Sequence, residues 1–475
     1  MRRVLLLSPL LLTMAGCVSF SPDGGMDSVR TRALREEQAE PVKVASEESE
    51  TSASERARAL LRRPLTADTA VRIAFLRNKG LQASYDDLGI SEAKFVAASL
   101  PPNPSISLLD IRNEVSLDIE RRLVADVLSL ATLPARQDIA EARWRGARLA
   151  AATATLKLAA EVRRQYWRAV VARAKTKYLT EARTATETMA DLARKLGETG
   201  ALNKLDQSRE FAFYAELSAD LAKTRTQEKV EKERLTRLLG LWGRDIDYTL
   251  PLSLPRLTDK ARAATALETT ALSKRIDIEM ARADLDRVAR EYGLTRASRY
   301  IDVIELAAAQ NVTAAPVTDA AGHTTTEKVR LNGVELRLQI PIFDWGEARS
   351  REAEETYMRA ANRLAEKGVN ARSEVREAYT AYRGALDVAR VYQSKVLPLR
   401  QMIQDDTLLH YNGMLTDVFV LLQDGRARIL SNIAALDAHR DVLLAETDLH
   451  AALNGAGMAG SDTKSTALAA GDNAN

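Results

Sequence analysis

Two very long segments that are poor in proline constrain the fold of this chain more than any other feature. Residues 134–197 contain no proline after the first position, and residues 341–412 contain one internal proline, Pro398. At 1.5 Å per residue they predict helices of roughly 95 Å and roughly 105 Å. Aromatic residues make up only 5% of the 475 residues and charged residues 28%, which is typical of long helices and coiled coils. A compact domain with a single core is therefore excluded.

A heptad repeat follows the second long segment. Apolar residues recur at spacings of seven at Leu415, Leu422, Ile429, Leu436 and Leu443. This spacing predicts a coiled-coil seam that packs against another helix. A solvated coiled-coil stalk would also carry such a seam.

The chain shows signs of an internal duplication. Residues 161–166 (EVRRQY) match residues 374–379 (EVREAY), and residues 200–203 (GALN) match residues 413–416 (GMLT). Both matches have an offset of 213 residues. Chance similarity between Ala-rich helices is the alternative, but it does not predict that glycine turns and strand patterns occur in the same order in both halves.

A third match has a different offset. Residues 83–88 (ASYDDL) correspond to residues 280–285 (MARADL) at an offset of 197, so the second half has 16 additional residues, which we place around residues 311–333. The predicted repeats span residues 64–255 and residues 256–455.

Period-two patterns predict one β-hairpin in each half. Residues 115–119 and residues 334–342 alternate apolar with polar or charged side chains. Residues 106–108 and, most weakly, residues 299–306 supply the partner strands. A strand with one apolar and one charged face fits either the edge of a soluble sheet or a membrane barrel with lipid outside and water inside.

The amino terminus predicts export and a lipid anchor. Residues 1–16 contain two arginines, a short apolar run and small residues, as in a signal peptide, and Cys17 is the only cysteine. The pattern resembles a bacterial lipoprotein signal, in which Cys17 becomes the lipidated first residue; an ordinary secretory signal is the alternative. Because Val18 rather than Asp follows, the resemblance implies transfer to the outer membrane.

The two ends of the mature chain are polar. Residues 17–63 predict a lipidated tether with room for at most a short helix, and residues 456–475 predict a disordered tail.

Several function classes lack the residues that they require. The net charge of +3 gives no polybasic field for nucleic acid. Zinc-protease, serine-hydrolase and phosphate-loop motifs are missing from the sequence, so we predict that the chain is not an enzyme. The four histidines are scattered, and we predict neither a metal site nor a cofactor beyond the covalent lipid on Cys17.

The residues together resemble a known family. Residues 338–346 (LQIPIFDWG) resemble the strand-to-helix junction of TolC-like outer-membrane efflux proteins. Short motifs within residues 397–421 and residues 200–207 are similar to the two helix tips of that family, and the resemblance extends over residues 65–455. The first half departs from the junction motif at residues 130–136.

The resemblance implies a mainly α-helical, internally duplicated chain with a small membrane β part. Three copies would form a 12-stranded β-barrel in the outer membrane, continued by an α-helical barrel in the periplasm. The chain would be a passive duct that exports small molecules or ions from an inner-membrane pump through a periplasmic adaptor. A duct for type I protein secretion, and a lipid-anchored coiled-coil scaffold without a channel, are the alternatives.

The family also implies roles for the two helix tips. Gly200, Leu202, Gly413 and Leu415 would lie at the periplasmic tips and contact the adaptor. Gly200 and Gly413 are expected to end one helix and permit the chain to reverse.

Acidic residues near the tips are candidates for a gate. Asp206 lies where the family often carries a gate carboxylate, and its counterpart at an offset of 213 is Phe419, so that Asp417 is the candidate in the second half. Plain helix capping is the alternative, with Asn203 and Thr416 as N-caps.

Overall fold

The computed structural model describes residues 19–112, 116–257, 264–301, 303–318, 321, 323–339 and 343–457. The signal peptide, Cys17, Pro341 and most of the predicted tail lie outside these residues. The chain forms two compact units, which we call the sheet unit and the helical unit. The sheet unit comprises Met1–Gly25, Asp87–Arg148 and Met280–Glu366, and the helical unit comprises Met26–Asp86, Leu149–Glu279 and Lys367–Asn475.

The sheet unit is built around four antiparallel strands in the order β1-β2-β3-β4. They are β1 Ser105–Arg112, β2 Leu117–Asp126, β3 Ile304–Thr318 and β4 Thr324–Leu338. Each half of the chain contributes one hairpin, as the sequence predicted, and pairing of β2 with β3 joins the two hairpins.

The second hairpin is longer than predicted. β3 and β4 have 15 residues each, whereas β1 has 8 and β2 has 10. The additional residues of the second half therefore lengthen the hairpin instead of forming a loop. The weak strand prediction at residues 299–306 is corrected, because β3 starts only at Ile304 and continues to Thr318.

Helices make up most of the remaining described chain. They are α1 Met26–Glu37, α2 Glu47–Leu61, α3 Ala67–Arg77, α4 Lys79–Ser99, α5 Val127–Ala131, α6 Leu133–Glu198, α7 Lys204–Leu239, α8 Ala264–Lys274, α9 Ile276–Ala297, α10 Glu347–Val391, α11 Leu397–Asn412 and α12 Val418–Asn454. None of the helices in the described ranges combines the length and the apolar character that a membrane-crossing helix needs.

The first long helix matches its prediction. The second begins later than predicted and is interrupted. α6 is continuous over 66 residues. The second segment begins its helix at Glu347, because Asp344 Oδ1 accepts hydrogen bonds from the backbone N–H groups of Gly346 (2.9 Å) and Glu347 (3.1 Å). A π-helical turn, Tyr392–Val396, then separates α10 from α11 immediately before Pro398.

The helical unit repeats one junction in each half of the chain. The break between α3 and α4 is at Asn78, whose side-chain amide donates to the carbonyl of Leu238 (2.9 Å). The break between α8 and α9 is at Arg275, whose guanidinium donates to the carbonyl of Ala452 (3.0 Å). The two break residues, Asn78 and Arg275, are 197 positions apart in the sequence. The two carbonyls that accept from them, those of Leu238 and Ala452, are 214 positions apart. An internal duplication predicts such a repeated contact.

The predicted seam of α12 is largely buried. Leu422, Ile429 and Leu443 are 2%, 7% and 5% exposed, and Leu436 is half-buried. Leu415 precedes the helix and is 78% exposed, so the seam begins one heptad later than predicted.

The segment predicted as a tether is instead folded. α1 and α2 bury small or medium apolar side chains, among them Val29 and Ala57. Glu37, at the end of α1, forms an ion pair with Arg163 (3.0 Å). A stripe this narrow gives little hydrophobic periodicity in the sequence. It nevertheless suffices when other helices cover it.

Candidate functional site

The turn between α6 and α7 has the predicted caps. Gly200 adopts a left-handed φ of 77°, and the N–H of Ala201 donates to the carbonyl of Leu196 (2.9 Å). Asn203 is the N-cap of α7, since its side-chain oxygen accepts from the N–H of Asp206 (2.9 Å). This closure satisfies terminal carbonyl and N–H groups that the helices leave unpaired.

The turn between α11 and α12 uses different residues from those predicted. Met414 holds the left-handed φ of 58°, whereas Gly413 has a φ of −83°. The N–H of Leu415 donates to the carbonyl of His410 (2.8 Å). Asp417, not Thr416, is the N-cap of α12 and accepts from the N–H of Val420 (3.0 Å).

The two turns are therefore equivalent at an offset of 214, one residue more than the sequence match. The capping pair Asn203 and Asp417 and the left-handed pair Gly200 and Met414 both have this offset. A π-helical turn contains one more residue than the α-helical turn that it replaces. The turn Tyr392–Val396 lies between the two sequence matches and accounts for the additional residue.

Burial of the helices supports this register. Ala193 of α6 is fully buried, and its counterpart at an offset of 214, Thr407, is half-buried and donates a hydrogen bond to Asp424 (2.7 Å). The counterpart at an offset of 213, Asp406, is exposed. The π turn thus keeps the corresponding face of α11 toward its neighbours.

Both candidate gate acids take part in capping. Asp206 accepts from the Asn203 amide (2.7 Å) and pairs with Arg209 (2.8 Å). Its counterpart in the corrected register is Val420. Asp417 corresponds to Asn203 and, like it, is an N-cap.

The residues predicted to contact a partner separate into buried and exposed ones. Leu202 is 7% exposed and packs with Ala193, Val418 and Leu422. Leu415 is 78% exposed and Met414 is 93% exposed. In the first turn the exposed apolar side chain is Leu205, at 61%.

No sequence pattern indicated a buried acid near the two turns. Glu210 of α7 is 2% exposed, and its Oε1 lies 3.7 Å from Nη1 of Arg426 on α12 without a hydrogen bond. The Arg426 guanidinium lies 4.4 Å from the ring centroid of Phe213. Burial raises the pKa of the Glu210 carboxyl above its ordinary value, the Arg426 charge opposes this, and Asp206 adds to it.

The four-stranded sheet has two chemically different faces. We call one the apolar face, because it exposes a band of aliphatic side chains at the helix-proximal ends of the strands. These are Ile106, Leu108, Leu123, Leu306, Val334, Leu336 and Leu338. The opposite, charged face carries ion pairs between Arg337 and Glu305 (3.0 Å) and between Arg122 and Glu335.

The two outer strands of this sheet are open. β1 pairs only with β2, and β4 pairs only with β3, among the residues that the structure describes. Each outer strand therefore presents a row of backbone N–H and C=O groups without a strand partner.

Comparisons place these features among known proteins. Residues 267–455 match the sequence model of a family described as "Outer membrane efflux protein". No sequence among the curated proteins matches the chain. The family resemblance predicted from the sequence is confirmed.

Solved outer-membrane channels share the fold. The open-state MtrE channel of Neisseria gonorrhoeae is 17% identical with a TM-score of 0.65, over 82% of this chain and 88% of that chain. The CmeC channel of Campylobacter jejuni is 14% identical with a TM-score of 0.63, over 89% of each chain. The outer membrane protein VceC of Vibrio cholerae is 16% identical with a TM-score of 0.62, over 85% of this chain and 96% of that chain.

The π turn generates a first prediction. Deletion of Ser394 should convert the π turn into an α-turn and leave the flanking helix faces in place, so the melting temperature, followed by far-UV circular dichroism, should change little. Deletion of Thr180, at the matching level of the uninterrupted α6, should rotate the helix by about 100° beyond the deletion and lower stability by roughly 3 kcal/mol or more. Equal damage from both deletions would contradict this role of the π turn.

The buried Glu210 generates a prediction about pH. Because its pKa is raised, the carboxyl favours the folded state below its ordinary pKa, and this advantage is lost as the pH rises through the raised value. Glu210→Gln should therefore raise the melting temperature more at pH 7.5 than at pH 4. Glu216→Gln, an exposed substitution on the same helix, is the control and should show no such difference. An effect of Glu210→Gln that is the same at both pH values would refute the assignment.

Proposed function

Because residues 267–455 match the model of the outer membrane efflux protein family, we propose that three copies of this chain form a passive duct through the bacterial outer membrane. The duct exports small molecules or ions that an inner-membrane pump delivers through a periplasmic adaptor. The chain performs no catalysis; it supplies a water-filled path. Energy comes from the pump.

The open edges of the sheet are the observation that supports this proposal most directly. In a hydrocarbon environment each unpaired backbone group costs several kcal/mol, and a sheet survives there only as a closed barrel. The smallest membrane barrels have eight strands, so four strands cannot close alone. Three copies supply 12 strands, with β4 of one copy beside β1 of the next.

The two faces of the sheet fit this arrangement. The apolar face would contact lipid, and the charged face would line the water-filled interior. A lipid-anchored scaffold without a channel would leave the apolar band in water, where exposed aliphatic side chains such as Ile106 (80%) and Val334 (79%) have no function.

The helix turns are the proposed meeting point with the adaptor. Leu205, Met414 and Leu415 expose apolar surface there, and Gly200 and Met414 hold the left-handed positions of the two turns. The carboxylate of Asp206 accepts from the Asn203 amide and pairs with Arg209, and that of Asp417 caps α12.

A lipid on Cys17 is the proposed anchor. Ser21, four residues later, is fixed to the sheet unit, since its backbone N–H donates to Oε1 of Glu92 (2.6 Å). Four extended residues span at most about 14 Å, so the anchor would lie close to Glu92 on the sheet unit. With Val18 after the cysteine, we propose localisation in the outer membrane.

Adjacent residues of β3 test the lipid-facing assignment. Ala308 is on the apolar face and Ala309 is on the charged face, so lysine at the two positions differs only in the side it points to. Ala308→Lys should cost about 2–4 kcal/mol per chain and should remove most inserted protein and its conductance in planar bilayers. Ala309→Lys should insert and conduct. If both variants insert equally, the sheet does not face lipid and the scaffold alternative gains support.

The anchor is tested separately by the mass of the amino-terminal peptide. Protein extracted from membranes should begin at Cys17 and carry the mass of a diacylglycerol with an additional acyl chain, and Cys17→Ser should lack it. A peptide without lipid would overturn only the anchor, and the conductance of the duct would remain to be judged by the lysine variants.

A further inference from the structure

Charge is divided unequally between the two faces of the sheet. The charged face carries six acids and two arginines, a net charge of −4; these are Asp118, Glu120, Asp126, Glu305, Glu327, Glu335, Arg122 and Arg337. The apolar face carries four cations and one acid, a net charge of +3; these are Arg112, Arg121, Lys328, Arg330 and Asp110. A face that contacts only hydrocarbon has no use for such an excess of cations.

The cations occupy one end of the apolar face. The register places Arg121 opposite Gln310, Arg330 opposite Val312 and Lys328 opposite Ala314. Counted along β4 from Leu338, these rows are 6, 8 and 10 residues toward the hairpin end. With strands tilted by about 40°, they lie roughly 15, 20 and 25 Å above the helix-proximal end of the apolar band.

This position is the outer boundary of the membrane in the proposed duct. The apolar band of an outer-membrane barrel is about 25 Å tall, so Lys328 lies at its outer limit. Arg330 starts two residues deeper, and its long side chain extends along the apolar surface toward the interface. Arg121 starts four residues deeper, in a polar row with Gln310 and Asn332 that accommodates its charge, unlike the aliphatic row of Ala308. The aliphatic band Leu338, Leu336 and Val334 fills the other end.

Among the described residues, three of the cations on the apolar face have no acidic partner. Arg112 pairs with Asp110 (2.8 Å), and both are exposed. Arg121 donates only to the neutral Gln310 (3.4 Å), which in turn donates to Asn332 (2.9 Å). Within the described ranges, neither Lys328 nor Arg330 has an acid within salt-bridge distance, and all three cations are exposed.

We propose that Arg121, Lys328 and Arg330 bind the phosphates of an anionic lipid in the outer leaflet. Arg121 is on β2 and the other two are on β4, so they are separated by two strand spacings, roughly 10 Å. This surface continues directly into the aliphatic band. A lipid with phosphates and acyl chains matches both parts, whereas an acidic protein or free phosphate would match only the cations.

The inference rests on the proposed membrane duct, and one experiment examines the two separately. Native mass spectrometry of the detergent-extracted protein, titrated with a diphosphorylated lipid A, reports the number of chains and the number of lipids bound. The test variant is the triple substitution Arg121→Gln, Lys328→Gln and Arg330→Gln. The control is Arg337→Gln, which removes an arginine from the charged face of the same sheet.

The unaltered trimer should bind the diphosphorylated lipid more tightly than the same lipid without phosphates. Each basic residue near an anionic surface is worth about fivefold in affinity, so the triple variant should bind roughly a hundredfold more weakly. Arg337→Gln should bind as the unaltered protein does. Raising the ammonium acetate concentration should weaken binding of the unaltered protein, which keeps the test valid if the triple variant fails to assemble.

Three results would overturn the inference. The first is that the triple variant binds the lipid as tightly as the unaltered protein. The second is that Arg337→Gln weakens lipid binding as much as the triple substitution does. The third is that inorganic phosphate at equal concentration displaces the lipid. A species that is not a trimer would count against the proposed duct instead, because lipid binding is read from the same spectra at whatever chain number is found.

Discussion

The open edges of the four-stranded sheet are the constraint on which the rest of the account depends. In the proposed duct the exposed aliphatic face of the sheet contacts lipid, but a sheet with unpaired edges cannot remain in lipid alone. Closing it with other copies satisfies both conditions. Along the chain, β2 is followed by the short α5 and then α6, and β4 is followed by α10.

A duplicated chain meets this constraint with unequal halves. The first half has a short hairpin and an uninterrupted α6, whereas the second has a long hairpin and a π turn before α11. The π turn accommodates one extra residue without rotating the faces of the following helix. The turn between α11 and α12 therefore remains equivalent to the turn between α6 and α7. Two of the differences between the halves thus lie where the backbone tolerates them, at a hairpin end and at a helical bulge.

Sequence patterns predicted the elements that repeat strongly and missed those that depend on partners. Period-two alternation around Val334 and Leu336 predicted β4, but β3 is rich in alanine and gave almost no signal. The offset of 213 suggested Gly413 and Thr416 as turn and cap, and only the structure shows that Met414 and Asp417 hold these roles. Glu210 and Arg426 lie 216 residues apart, so no local pattern could pair them. The polar segment before residue 63 forms two packed helices whose partners are distant in the sequence, so its local pattern did not predict them.

Electron cryomicroscopy of the full-length protein in lipid nanodiscs tests the central claim most directly. The proposed duct requires three chains around one axis, with β4 of each paired to β1 of the next in a closed ring of 12 strands inside the lipid. A single chain or a dimer, with the edges of its sheet in water and the sheet outside the lipid, would contradict it.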